Sequence, residues 1–191
     1  PAGKLTPTFY LQHGAAYERS GRRRESEAIF LKCLELYPET HEVLNYLAYM
    51  WAEKGENLDK ALAFITKALE HAPENGAYID TLGWIYYRQA RYPEALEQIR
   101  KASSLIKDDP TISDHLGDCF LAVKDSERAI QNWRLSFVSD PANREVEKKL
   151  RSHGQDVESL RKQAEALKKE RQKQEPEDPE DSVEPDIEAF P

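Results

Sequence analysis

The stretch LGWIYY at 82–87 aligns with LGDCFL at 116–121. Gly83 and Gly117 then stand 34 residues apart, and Ala95 and Ala129 keep the same interval. A fixed period is read before secondary structure because it decides the architecture. Further back, LAYMWA at 47–52 puts Ala48 where the glycine would be, 35 before Gly83, and HGAAYE at 13–18 puts Gly14 34 before Ala48. The surplus residue falls in GENLDKA at 55–61, where a turn absorbs it. Four units follow: 7–40, 41–75, 76–109 and 110–143.

Each unit reads as two helices. The first carries a small residue (Gly14, Ala48, Gly83, Gly117) and, three further on, an aromatic (Tyr17, Trp51, Tyr86, Phe120). The second carries a small residue near its start (Ser26, Ala61, Ala95, Ala129) and an apolar one four later (Phe30, Ile65, Ile99, Trp133). Another small residue follows: Cys33, Ala68, Ala102, Ser136. Small residues let antiparallel helices approach closely, and the large ones fill the space beside them. One such pair cannot bury its own apolar face, whereas stacked pairs bury a continuous one. Pro38, Pro73 and Pro141 close three units, and Pro110 opens the fourth. Asp59 and Asp125 are placed to cap second helices.

This small–aromatic–small–proline ladder resembles the tetratricopeptide repeat family over about 137 residues, the span 7–143. The departures are mild: His13 for the usual Leu, Ser26 and Cys33 for Ala, Lys107 for Pro. The resemblance implies an all-α, right-handed superhelical solenoid whose concave groove is lined by first helices and binds a peptide or helix of a partner protein. LGWIYYR and DHLGD look most like bacterial repeat proteins, among them adaptor lipoproteins, which implies a place in the bacterial cell envelope rather than the cytoplasm. In this chain the groove positions of the middle units hold Asn45, Tyr46, Tyr49, Asp80, Trp84, Tyr87, Arg88, Asp114, His115 and Asp118. Tyr, Trp and Arg dominate binding hot spots. Tyr49, Trp84 and Tyr87 are therefore expected as apolar anchors, with the polar residues supplying hydrogen bonds. Some relatives clamp a C-terminal carboxylate with lysines and asparagines. The matching places here hold Leu11, Ala15, Tyr46, Ala77 and Thr81, or one unit on, Asn45, Tyr49, Thr81, Thr111 and His115, so that function is not expected.

Composition limits the alternatives. Eight glycines among 191 residues are too few for a fold of many tight turns. No run of 18 apolar residues exists to span a membrane. A net charge of −8 opposes general binding to nucleic acid. No glycine-rich phosphate loop and no nucleophile–base motif occurs, so neither an enzyme nor a cofactor is expected. A divalent-metal site at Asp80, Asp114, His115 and Asp118 is the chemical alternative, since Asp114 and Asp118 share a helix face. Cys33 and Cys119 occupy packing positions in different units, too far apart to bond.

The charge is uneven. Residues 1–143 sum to −4, residues 144–174 to +4, and residues 175–191, with eight acids and no Lys or Arg, to −8. In the basic block Val146, Leu150, His153, Val157, Leu160, Ala164 and Leu167 alternate steps of four and three. This heptad stripe predicts one long amphipathic helix that caps the solenoid. Self-assembly through that helix is the alternative to groove binding. The acidic block, rich in proline, has a disordered composition. Its Ile187 and Phe190 resemble a docking motif, which predicts contact with the basic helix or with a groove.

Overall fold

The computed structural model describes residues 5–174 and, among them, ten α-helices and no strand. The expected docking of Ile187 and Phe190 lies outside these residues. Eight helices form four antiparallel hairpins: α1 (Pro7–Arg19) with α2 (Arg23–Leu36), α3 (His41–Lys54) with α4 (Leu58–His71), α5 (Gly76–Arg88) with α6 (Tyr92–Leu105), and α7 (Pro110–Ala122) with α8 (Ser126–Ser139). Each hairpin packs on the next, giving a right-handed all-α solenoid.

The small residues of the ladder do what their spacing implies. A Cβ on Gly14 would lie 2.2 Å from the Phe30 ring, one on Gly83 2.4 Å from Ile99, and one on Gly117 2.3 Å from the Trp133 indole. Their partners in the second helices are fully enclosed, with Phe30, Ile65 and Ile99 at 0% exposure and Trp133 at 1%. Ser26 substitutes for Ala at a buried position by donating its hydroxyl to the Gly14 carbonyl at 2.8 Å. Cys33 and Cys119 are buried free thiols.

Each hairpin closes through the same turn. The N–H five residues beyond Tyr17, Trp51, Tyr86 and Phe120 donates back to that residue's carbonyl, at 2.8–3.0 Å. The chain crosses the left-handed region at Gly21, Gly55, Ala90 and Lys124 (φ 76°, 70°, 59° and 66°). A non-glycine residue there costs about 1 kcal/mol. The third and fourth hairpins also start alike. Asn75 and Asp109 each accept two backbone N–H groups of the helix they open. Asp125 caps α8 through the Arg128 N–H, whereas Asp59 lies inside the first turn of α4, behind Asn57.

The single helix expected over 144–174 is corrected to two, α9 (Arg144–Ser152) and α10 (Val157–Gln174). Gly154, at φ 70°, breaks the run, and His153 ends α9 instead of continuing a stripe. The break is a fifth copy of the hairpin turn, with the Gln155 N–H donating to the Leu150 carbonyl at 3.0 Å. Asn143 caps α9 as Asn75 and Asp109 cap their helices. The fifth hairpin starts 34 residues after the fourth, but its turn arrives 30 after the fourth turn. Its first helix is therefore one turn short. Val146, Leu150, Val157, Leu160 and Ala164 bury themselves against α8 and each other, leaving Leu167 38% exposed.

Candidate functional site

Residues of four first helices meet at one recess. At the junction of α3, α5, α7 and α9 lies a cleft of about 400 Å³. Six of the ten expected residues line it: Tyr49, Trp84, Arg88, Asp114, His115 and Asp118. Glu53, Thr111, Asn143, Glu145 and Lys149 complete the wall. The last three belong to the fifth hairpin. Counting the 34-residue period once more past 143 would have found them, because Glu145 and Lys149 repeat the places of Thr111 and His115. A smaller recess of about 80 Å³ adjoins at Glu18, Arg23, Tyr49, Met50 and Glu53.

A stack of three rings underlies the cleft, and two of them, Trp84 and His115, line it. Trp84 lies parallel to Tyr87 on one face (centroids 4.6 Å, 5°) and to His115 on the other (4.0 Å, 10°). Its indole N–H donates to Glu53 at 2.7 Å. Both faces of Trp84 are thus covered, and the residue is 6% exposed. It fixes α5 to α7 and shows the cleft only an edge. Tyr46 stacks on Phe30 (5.2 Å, 28°) and lies outside the cleft. Asn45 is also outside it, with a buried side-chain oxygen that takes no hydrogen bond among the described residues. Tyr49 keeps a half-buried ring at the boundary of both recesses.

The charges are paired in two sets. His115 Nδ1 lies 2.9 Å from the buried Asp80 carboxylate. Burial opposes a charged imidazole, but the field and hydrogen bond of Asp80, with Asp114 and Glu53 behind it, outweigh that and hold the His115 pKa above its ordinary value. Lys149 reaches from α9 to Asp114 at 2.6 Å and Asp118 at 2.8 Å. Asp118 also accepts the Trp133 indole N–H at 3.0 Å. Burial raises the Asp114 pKa against the pull of Lys149. Burial likewise pushes Tyr87 up to about 12 and raises Tyr49, helped there by Glu53 and Asp80. Arg88 is exposed and lies against Gly55, its guanidinium filling the space a Cβ would need.

This pairing corrects the metal alternative. Asp80 is committed to His115, and Asp114 and Asp118 to Lys149. Among the described residues no three His, Cys, Asp or Glu converge to hold a metal ion.

A curved stack of helical hairpins with a lined concave groove defines a repeat solenoid. Residues 11–76 match the tetratricopeptide repeat family, and the helical hairpins are those of its solenoid fold. A TPR repeat-containing protein of Pseudomonas aeruginosa is 32% identical over 81 residues, which span 42% of this chain and 14% of that protein. Among solved structures, Pseudomonas aeruginosa PilF superimposes with a TM-score of 0.60 at 24% identity, over 73% of this chain and 64% of that one. MamA of Desulfovibrio magneticus RS-1 superimposes with a TM-score of 0.58 at 19% identity, over 73% and 78%. These likenesses establish the fold. The fold generally mediates protein–protein interaction, and proteins of this family are typically non-catalytic scaffolds. No described helix is long and apolar enough to cross a membrane.

Proposed function

We propose that the chain is a non-catalytic scaffold that captures a segment of a partner protein in its concave groove, at the cleft between α3, α5, α7 and α9. The observation that carries this reading is the cleft itself. It is a recess of about 400 Å³ whose walls come from four hairpins and whose floor is immobilised by the Tyr87–Trp84–His115 stack. A rigid floor limits the entropy lost on binding. Tyr49 and Arg88 supply the adaptable contacts, while Trp84 and Tyr87 act by holding the floor in place. The rival is self-assembly through the C-terminal helix. Val157, Leu160 and Ala164 are buried in the solenoid, so one partly exposed leucine remains of the stripe.

The test is photo-crosslinking in the chain's own cell, with a crosslinking amino acid at position 49 or 88 and, as control, at Leu135, an exposed residue outside the groove (62% exposed). Adducts from the groove positions alone are expected. Equal adducts from position 135 would reject groove capture.

A further inference from the structure

We propose that the cleft is built to receive a basic side chain, lysine or arginine, carried by the partner segment. This rests on the groove reading above and names the chemistry of its ligand.

Three observations lead there. The cleft lining carries Glu53, Asp114 and Asp118 against two cations, Lys149 and Arg88, while the Glu145–Lys148 and His115–Asp80 pairs balance themselves. The lining keeps an excess of one negative charge facing an open recess. The two aspartates are not a surface patch: the Asp114 and Asp118 side chains are 17% and 14% exposed and line the cleft. A desolvated carboxylate gains more from a cation than an exposed one does.

The second observation is that one cation is already seated. Lys149 comes from the terminal hairpin, a separate element, and its ammonium lies between the two aspartates. It is an intramolecular instance of the proposed contact. It also shows that the wall accepts an ammonium without disturbing the Trp133 bond to Asp118. An ionised carboxylate has about four acceptor sites, so Lys149 leaves room for a second donor on each.

The third is the other end of the recess. Glu53 is held by Trp84 through Oε1, and among the described residues no hydrogen bond reaches its Oε2. Tyr49 lies beside it with a half-buried ring. An apolar surface next to a carboxylate suits the methylene stem of a lysine or arginine, whose head stays with the charge. Glu18 and Arg23 line the adjoining recess. An acidic segment would meet carboxylates at both ends, an arrangement that excludes partners rather than attracts them. The chain's own residues 175–191, with eight acids and no Lys or Arg, have the wrong sign to occupy this cleft.

The experiment uses the full chain and three fluorescent twelve-residue peptides, in which leucine and glycine alternate with arginine, serine or glutamate. The arginine peptide is expected to bind, with affinity falling as salt rises. Asp114→Asn with Asp118→Asn is expected to weaken it at least about tenfold. Lys149→Met removes the internal competitor and is expected to strengthen it severalfold. Since the double variant removes partners of a half-buried lysine, its circular dichroism and melting temperature are read alongside. The Lys149→Met gain stands as the independent arm. If the serine or glutamate peptide binds as well as the arginine peptide, and Tyr49→Ala abolishes that binding, the cationic assignment is overturned and groove capture survives. If none of the three binds, both fall.

Discussion

Replacing Gly83 by alanine tests the close approach on which every hairpin depends. In an ordinary helix this change stabilises by about 1 kcal/mol, because glycine loses more backbone freedom on folding. Here the added Cβ would stand 2.4 Å from Ile99 Cγ1, 3.1 Å from the Ile99 nitrogen and 3.2 Å from the Ala95 carbonyl oxygen. The first atom belongs to a side chain with 0% exposure, and the other two are backbone of α6. None can swing aside, so α5 and α6 must separate. Overpacking of this kind costs about 1–3 kcal/mol. The net result, after the helix gain is set against it, is a loss of up to about 2 kcal/mol, or up to roughly 6 °C in melting temperature for a chain of this size. Urea unfolding followed by circular dichroism measures it. The second hairpin supplies the contrast, since it carries Ala48 at the same place opposite Ile65 and accommodates the methyl. A Gly83→Ala chain more stable than the parent would refute the argument that helix approach, and not turn chemistry, selected the glycine.

Three further outcomes follow from the packing and charge pairs. The folded-state pKa of His115 is raised, so its contribution to stability is complete below the unfolded value of about 6.5 and is lost as pH rises through the folded value. Unfolding midpoints are expected to fall above neutral pH, and a His115→Asn chain should lack that slope; a parent profile flat between pH 6 and 9 would contradict the pairing with Asp80. Leu160→Ala, at a position 4% exposed, should cost about 2–3 kcal/mol and show first as faster hydrogen exchange in α9 and α10, with α3 and α4 unaffected. Asp109→Ala removes both hydrogen bonds at the start of α7 and should cost about 1 kcal/mol, measurable as a lower urea midpoint.

The hairpins were legible because their signal is periodic and redundant. Gly14, Gly83 and Gly117 mark one helix contact in three places, so a local ambiguity at Ala48 or Ser26 is resolved by its neighbours in register. The fifth hairpin carries no such redundancy. Its first helix lacks a turn, Glu147 stands where the other hairpins have a small residue, and Val146, Leu150, Val157 and Leu160 happen to keep heptad spacing across a glycine. A pattern of apolar steps carries no mark of a left-handed residue between them, and Gly154 was the one local sign. The groove positions were readable one by one, but their contacts were not. Trp84 stands at an anchor's place in the register, yet both its faces are taken by Tyr87 and by His115 from the next hairpin. Lys149 came from beyond the last counted unit, so its seat between Asp114 and Asp118 could not be inferred from those residues.

Each of the three tryptophans donates its indole N–H to a carboxylate of another helix: Trp51 to Glu27, Trp84 to Glu53 and Trp133 to Asp118. The first two bonds join successive hairpins and the third lies within the fourth. The chain therefore carries an optical beacon at three points along its length, each lit by a different joint. With two of the three replaced by phenylalanine, emission from the remaining indole reports when its own joint opens. A set of three such chains would time the order in which the stack comes apart, from one end, from the other, or from the middle outward.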